Sequence, residues 1–373
     1  MHPLTSVATG FPRLAVVSFR KRYSTDLSSE QNRSENIVKR LLLFIGTLTA
    51  LVIIVALVGP TQHSPSSYAD EPHAAAGQLG ITPTVATYLP LIQYSVTPTP
   101  ASVRVAVIGD YGLASQGEQD VATLVKSWAP DLIITTGDNN YPEGAASTID
   151  QNIGQYYHDF IFPYTGIYGA GANANRFFPS LGNHDWIASG AIPYFDYFTL
   201  PGNERYYDAG EGPVQLFALD SDPHEPDGVS STSQQAAWLQ SRLATSSACW
   251  KLVYFHHAPY SSGPHGPSTW MQWPFATWGA DAVLSGHDHT YERILINGFP
   301  YFVDGLGDSS QYAFEAPIAG SQARYNAGPG AMRVTATWTT ITYEFIAADG
   351  KMIDTYTQNK ECAGTSTLFR ITP

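Results

Sequence analysis

The chain is poor in cysteine, and its few charges are mostly acidic. Cys249 and Cys362 are the two cysteines in 373 residues, and no Cys-x-x-Cys spacing exists, which excludes a zinc ribbon and a thioredoxin-type redox site. There is no Gly-x-Ser-x-Gly elbow and no Walker phosphate loop, so a serine-nucleophile hydrolase of that type and a P-loop nucleotidase are also excluded. Positive charge is scarce: 19 Lys and Arg face 32 Asp and Glu, for a formal net charge of -13. Seven of the basic residues lie in residues 1–40 with three acids, leaving 12 basic and 29 acidic residues for the rest. A body that acidic is repelled by nucleic-acid backbones, and no nucleic-acid partner is expected. Small phosphorylated substrates stay open, because a bound metal reverses the local field.

Long uncharged apolar stretches are equally sparse, which makes Leu41 to Val58 stand out as 18 residues without a charge. At about 1.5 Å per residue that length nearly spans a bilayer core. Lys39 and Arg40 abut its N-terminal side, and no Lys or Arg follows between residue 59 and Arg104. The positive-inside rule then puts residues 1–40 in the cytoplasm as a basic segment, 41–59 across the membrane as an anchor, and the remainder outside. A secreted product of signal cleavage is the alternative, weakened by the poor cleavage sequence Val58-Gly59-Pro60. Residues 60–100, with six prolines after residue 60 and no basic side chain, read as a tether. In an exported chain Cys249 and Cys362 can pair, fastening the tail to the strand that starts at Trp250; two unrelated thiols are the alternative.

From Ser102 onward the texture is that of a layered α/β domain. Val103 to Ile108 and Asp131 to Thr136 read as strands flanking a helix from Gln116 to Trp128, which shows Val121, Leu124, Val125 and Trp128 on one face. Arg176 to Leu181, Val214 to Leu219, Trp250 to Phe255 and Asp281 to Leu284 read as further strands, and a helix begins after Thr232-Ser233. Residues 141–178 are aromatic and Gly-rich without periodicity, and read as site-shaping loops. After His289 helices give way to antiparallel strands over 293–303, 331–338, 340–346 and 352–356. Residues 220–231 begin like a calcium loop, but Ser231 stands where the twelfth-position Glu belongs. Trp270, Trp273 and Trp278 form an aromatic cluster whose usual fate is packing, with stacking on a substrate ring as the other reading.

Polar residues recur at the ends of the short apolar segments: Asp110 in Ile-Gly-Asp-Tyr-Gly, Asp138 in Gly-Asp-Asn-Asn-Tyr, Asn183 and His184 in Leu-Gly-Asn-His-Asp, His256-His257 before Ala-Pro, and His287 and His289 in Gly-His-Asp-His. Singly, each is as well explained by a turn. Together they supply the oxygen and nitrogen ligand mixture that suits iron, zinc or manganese, and a carboxylate such as Asp138 can bridge two ions.

These five blocks, in this order, resemble the calcineurin-like metallophosphoesterases and, within them, the purple or tartrate-resistant acid phosphatases. The resemblance covers roughly residues 101–310. It implies a four-layer α-β-β-α sandwich with mixed sheets over 101–373, without the additional β-sandwich of plant-type members. It further implies that Asp110, Asp138, Tyr141 and His289 hold one metal and that Asp138, Asn183, His257 and His287 hold the other. The Tyr141 phenolate would favour Fe(III), with Fe(II), Zn or Mn at the second position. His257 is taken as the ligand because family members place it two residues before a proline, leaving His256 behind it. His184 and His265 match the pair that contacts the phosphoryl group and protonates the leaving alkoxide. The implied activity is hydrolysis of small phosphate monoesters by metal-activated hydroxide; a phosphodiesterase or nucleotide hydrolase, and a surface binding protein without turnover, are the alternatives. Nothing in the sequence sets the oligomeric state.

Overall fold

The computed structural model describes residues 102–308 and 310–362. The basic segment, the membrane anchor and the tether expected from the sequence lie outside the described residues. Among the described residues, no helix is long and apolar enough to cross a membrane.

Among the described residues, thirteen strands build two mixed sheets. The first has the order β13-β12-β11-β1-β2-β3, with β1 (Val103–Ile108), β2 (Leu132–Thr135) and β3 (Phe177–Pro179) parallel and β11 (Gly330–Ala336), β12 (Thr340–Ala347) and β13 (Met352–Asn359) added antiparallel. The second has the order β10-β8-β9-β7-β6-β5-β4. There β5 (Val214–Ala218), β6 (Trp250–His257), β7 (Ala282–Gly286) and β9 (Phe299–Asp304) run parallel. On its flanks, β4 (Tyr207–Glu211), β8 (Tyr291–Ile296) and β10 (Ser321–Tyr325) pair antiparallel.

The sheets meet face to face through rings. Tyr291 of β8 stacks on Phe345 of β12 at 4.1 Å, and Phe302 of β9 on Tyr343 of β12 at 4.8 Å. Arg293 closes a bidentate ion pair with Asp354 of β13, at 2.7 and 3.0 Å, which fixes the sheets at that end. Strand periodicity sorts the second sheet's side chains between two cores. On β6, Trp250, Leu252 and Tyr254 enter the core between the sheets, while Val253 and Phe255 enter a separate outer core. That outer core is closed by Leu239 and Leu243 of a helix over Gln234–Thr245 and by Phe275 of a short helix over Phe275–Trp278. On the first sheet's outer face lies α1 (Gln116–Ser127). Ser115 caps it by accepting from Glu118 N, and Trp128 at its end receives the Arg333 guanidinium at 5.6 Å.

Two features differ from the sequence reading. Residues 141–178 are not all loop: residues 150–160 are helical and bury Ile153, Tyr156, Tyr157 and Phe160. That segment starts as a π-turn and ends as a 3-10 turn, so no 3.6-residue period shows in its sequence. Strands β4 and β10 also went unread; both are partly exposed edge strands whose polar sequences, Tyr-Asp-Ala-Gly-Glu and Ser-Gln-Ala-Arg-Tyr, lack apolar alternation. In the residues resembling a calcium loop, the carboxylates serve the fold: Glu225 and Asp227 bind Arg205, and Asp220 accepts from Asp222 N and Trp186 Nε1.

Cys249 and Cys362 are disulfide-bonded across a sequence separation of 113 residues, with 5.5 Å between their Cα atoms. Closing a loop of that size restricts the unfolded chain by about 3–5 kcal/mol. Cys362→Ser should therefore lower the urea midpoint of the oxidised protein to that of the reduced wild type. Unchanged stability would show that the bond adds nothing beyond the packing of the tail.

Candidate metal centre

The parallel strands of both sheets end at one place, and the turns beyond them carry the polar residues. Asp110 follows β1, Asp138 follows β2, Asn183 follows β3, His256 and His257 end β6, and His287 follows β7. The chain leaves these strands abruptly: Asp110, Asp138 and His287 all adopt left-handed backbone conformations, with φ of 55°, 51° and 71°. Non-glycine residues pay for that geometry, which concentrates where a side chain has to be aimed. The turns also touch one another. A β-carbon on Gly286 would lie 2.4 Å from Asp110 Oδ2, and one on Gly182 would lie 2.2 Å from Asp138 N. Only glycine permits that approach.

Two overlapping groups of donor atoms result. In the first, the Tyr141 hydroxyl donates to Asp138 Oδ2 at 3.0 Å and lies 3.2 Å from both Asp110 Oδ1 and His289 Nε2. In the second, His256 Nε2 lies 2.9 Å from Asn183 Oδ1, 3.1 Å from His287 Nδ1 and 3.4 Å from Asp138 Oδ2. Asp138 belongs to both. The backbone orients the carboxylates as well: His287 N donates to Asp110 Oδ2 and His184 N to Asp138 Oδ1, each at 2.9 Å.

Hydrogen bonds behind the rings fix their tautomers. His256 Nδ1 faces the Thr136 carbonyl at 2.9 Å and His289 Nδ1 faces the Ser310 carbonyl at 3.0 Å, so each Nδ1 donates and each Nε2 is turned to the site, where it can take a proton or an ion. Asp185 serves as a further support. Buried at 2% exposure, it accepts from Gly182 N and from the backbone and side chain of Asn139. The sequence signal for it was present in Asn-His-Asp, but its ordinary reading is a turn.

The two adjacent histidines of β6 have different partners. The His-x-Pro spacing selects His257, whereas the structure brings His256 into the cluster and gives His257 Nδ1 a hydroxyl partner, Ser221 Oγ, at 3.0 Å. Strand β6 is irregular between Tyr254 and His257, and both rings stay beside His287: His256 and His257 lie 5.0 Å apart, and His257 is 4.5 Å from His287. His184 and His265 sit at the margin. His184 holds the Pro142 carbonyl through Nδ1 at 2.6 Å, with Nε2 4.0 Å from Asp138 Oδ2. His265 is exposed, with its ring 4.3 Å from that of His287.

The charges in this cluster ask for a cation. Asp110 and Asp138 are 1% and 2% exposed, and their ion-pair partners among the described residues are histidines. Burial disfavours a charged His256, but Asp138 and Asp110 outweigh it and push its pKa up to about 10. Burial and then the His256 charge drive His257 down to about 3 and His287 to about 2. Burial would raise Asp138; His256 and His184 instead hold it well below the carboxylate range. The Tyr141 phenol is pushed far up by burial and by both carboxylates, so a phenolate there requires added positive charge. Carboxylate, amide, imidazole and phenol oxygen or nitrogen donors, converging in this electrostatic setting, fit hard or borderline metal ions.

Comparison with known proteins agrees with this chemistry. A family model of calcineurin-like phosphoesterases matches residues 103–291. The chain belongs to the calcineurin-like phosphoesterase family. It is 24% identical over 266 residues to tartrate-resistant acid phosphatase type 5 of Mus musculus, covering 59% of this chain and 77% of that protein. To purple acid phosphatase 17 of Arabidopsis thaliana it is 26% identical over 243 residues, covering 56% and 69%. Among solved structures, a purple acid phosphatase from yellow lupin (Lupinus luteus) seeds superposes with a TM-score of 0.53 at 18% identity, covering 70% of this chain and 54% of that one. GAP50, the anchor in the inner membrane complex of Plasmodium, superposes at 0.56 and 19% identity, covering 70% and 90%. At those identities the structural likeness is one of fold. This calcineurin-like phosphoesterase is a metal-dependent phosphoric ester hydrolase related to acid phosphatases, with a buried Asp110, Asp138 and His256 group placed to hold a metal.

Two outcomes are expected of the phosphoesterase. His256→Ala should lower bound metal and reduce turnover at least 100-fold, while His257→Ala should retain the metal content of the wild type; elemental analysis and initial rates distinguish them, and the reverse pattern would favour the His-x-Pro register. Because the metal-free His256 keeps its proton up to a pKa of about 10, an entering ion has to displace it. Metal affinity, measured by competition with a chelator, should rise about tenfold per pH unit between pH 6 and 9 for each proton released. A flat profile would contradict a protonated His256.

Proposed function

We propose that the protein hydrolyses small phosphate monoesters at a centre of two metal ions, in the manner of an acid phosphatase. The observation that carries this reading is the Tyr141 hydroxyl within 3.2 Å of Asp110, Asp138 and His289, because a phenol oxygen among carboxylates is a donor suited to Fe(III). Asp110, Asp138, Tyr141 and His289 would hold that ion, and Asp138, Asn183, His256 and His287 the second, which is Fe(II), Zn or Mn. When bound, the ions supply Lewis acidity toward phosphoryl oxygens and lower the pKa of a water.

The residues of the chain supply the rest. Asp138 would serve both positions, since its Oδ2 faces the Tyr141 hydroxyl and His256 Nε2 while Oδ1 is held by His184 N. With its Nδ1 committed to the Pro142 carbonyl, His184 presents Nε2 to the phosphoryl group beside Asp138. Standing exposed against His287, His265 protonates the departing alkoxide oxygen. Its loop is held for this: His265 N donates to Asp288 Oδ1 at 3.0 Å, and Ser262 N and Oγ donate to Glu292 at 2.7 Å.

The finer fold assignment is the four-layer α-β-β-α sandwich, supported by ring stacking between the sheets and by helices against both outer faces. The catalytic domain spans 101–373, behind a basic segment, an anchor over 41–59 and a linker over 60–100. An extracytoplasmic location is supported by the disulfide, since such bonds persist in oxidising compartments.

The deciding measurement compares initial rates on an aryl phosphomonoester and a bis-aryl phosphodiester at pH 5 and pH 7.5, with and without chelation. Faster monoester hydrolysis, abolished by metal removal and restored by iron with zinc, is the expected result. Preference for the diester would move the protein to the phosphodiesterases of the same family.

A further inference from the structure

The tryptophans near the site do not share one fate. Trp273 is buried at 3% exposure, and Trp278 packs with it in the outer core. Trp270 is 42% exposed, although the next residue of its 3-10 turn Thr269–Met271, Met271, is fully buried. Its polar atom is already committed, since Nε1 donates to the Ser221 carbonyl at 3.1 Å. An exposed indole with its N–H anchored to backbone offers a rigid aromatic surface with little left to do but contact something apolar.

Its position ties that surface to the metal centre. The Trp270 ring lies 5.5 Å from the ring of His257, which in turn lies 4.5 Å from His287. The adjacent residue, Asp220, anchors a second indole: Trp186 Nε1 donates to Asp220 Oδ2 at 3.0 Å. Trp186 belongs to the short helix Asn183–Ile187 that also carries Asn183 and His184, and His224 stacks on it at 5.8 Å. Two indoles, one from the helix Asn183–Ile187 and one from the 3-10 turn Thr269–Met271, are thus moored at consecutive residues, Asp220 and Ser221. That segment is itself held: Asp220 N donates to Gln235 Oε1 at 2.8 Å, and Ser221 Oγ is bonded to His257 through both N and Nδ1.

We propose that Trp270, moored one residue from the anchor of the Trp186–His224 stack, forms a subsite for a planar aromatic group on the substrate, so that the enzyme favours phosphate esters whose ester oxygen carries an aryl or heteroaryl group within one or two bonds. This rests on the reading of the metal centre as the phosphoryl site and adds the class of group that lies beside it. Trp270 contacts the leaving portion of the substrate and determines specificity; it moves no proton.

The test uses binding, so that it does not depend on turnover. Benzylphosphonate and cyclohexylmethylphosphonate have the same charge and nearly the same size, are not hydrolysed, and differ in aromaticity. Metal-loaded wild-type protein should bind the benzyl compound about 3- to 10-fold more tightly by calorimetry. Trp270→Leu should erase that preference while retaining bound metal and the affinity for inorganic phosphate, and Trp270→Phe should keep most of it. Equal affinities in the wild type, or a preference that survives Trp270→Leu, would overturn the subsite. Hydrolysis of the matching benzyl phosphate tests the monoesterase reading separately, since the phosphonate ratio stands or falls without it.

Discussion

Two carboxylates, Asp110 and Asp138, are taken almost wholly out of water at the junction of the two sheets, and the fold answers their charge with imidazoles and backbone N–H groups. Desolvating a carboxylate without compensation costs several kcal/mol. Here the compensation is arranged to leave lone pairs of His256 and His289 directed inward, which is favourable only if positive charge occupies the space between them. In the metal-free protein a proton on His256 supplies that charge. The donor geometry and the electrostatics therefore express one constraint: the ends of five strands have to converge tightly enough that their charges cannot be satisfied separately.

Convergence is achieved by backbone geometry. Three of the turns run through left-handed residues that carry functional side chains, and the adjoining glycines let one turn rest on the next. The sheets behind them are stiff, closed by the Tyr291–Phe345 and Phe302–Tyr343 stacks and by the Arg293–Asp354 pair, so the strain at the turns is absorbed by a framework that does not yield. The loops around the mouth are fastened from the same framework. Asp288, between His287 and His289, accepts the Ser261 hydroxyl as well as His265 N, so the turn that presents two imidazoles also positions the histidine opposite them.

In this chain one wall is aromatic. The exposed Trp270 and the Trp186–His224 stack are displayed from loops whose polar groups are consumed in holding them still, whereas Trp273 and Trp278 went into the core as aromatic residues ordinarily do.

The sequence by itself determined the strands and helices with strong periodicity, such as Val103–Ile108 and Gln116–Ser127, and the residue types at the strand ends, because burial on a sheet and capping of a helix are local demands written in neighbouring residues. Edge strands β4 and β10 and the helical residues 150–160 were not legible, since a partly exposed edge needs no apolar alternation and a mixed-pitch helix has no single period. The pairing of Cys249 with Cys362 was one of two open readings until the tail was seen beside β6. How two adjacent histidines share the site was decided only by tertiary structure. Strand β6 is irregular between Tyr254 and His257, so where the two rings emerge follows from how that strand is laid against β7 and not from alternation along the sequence.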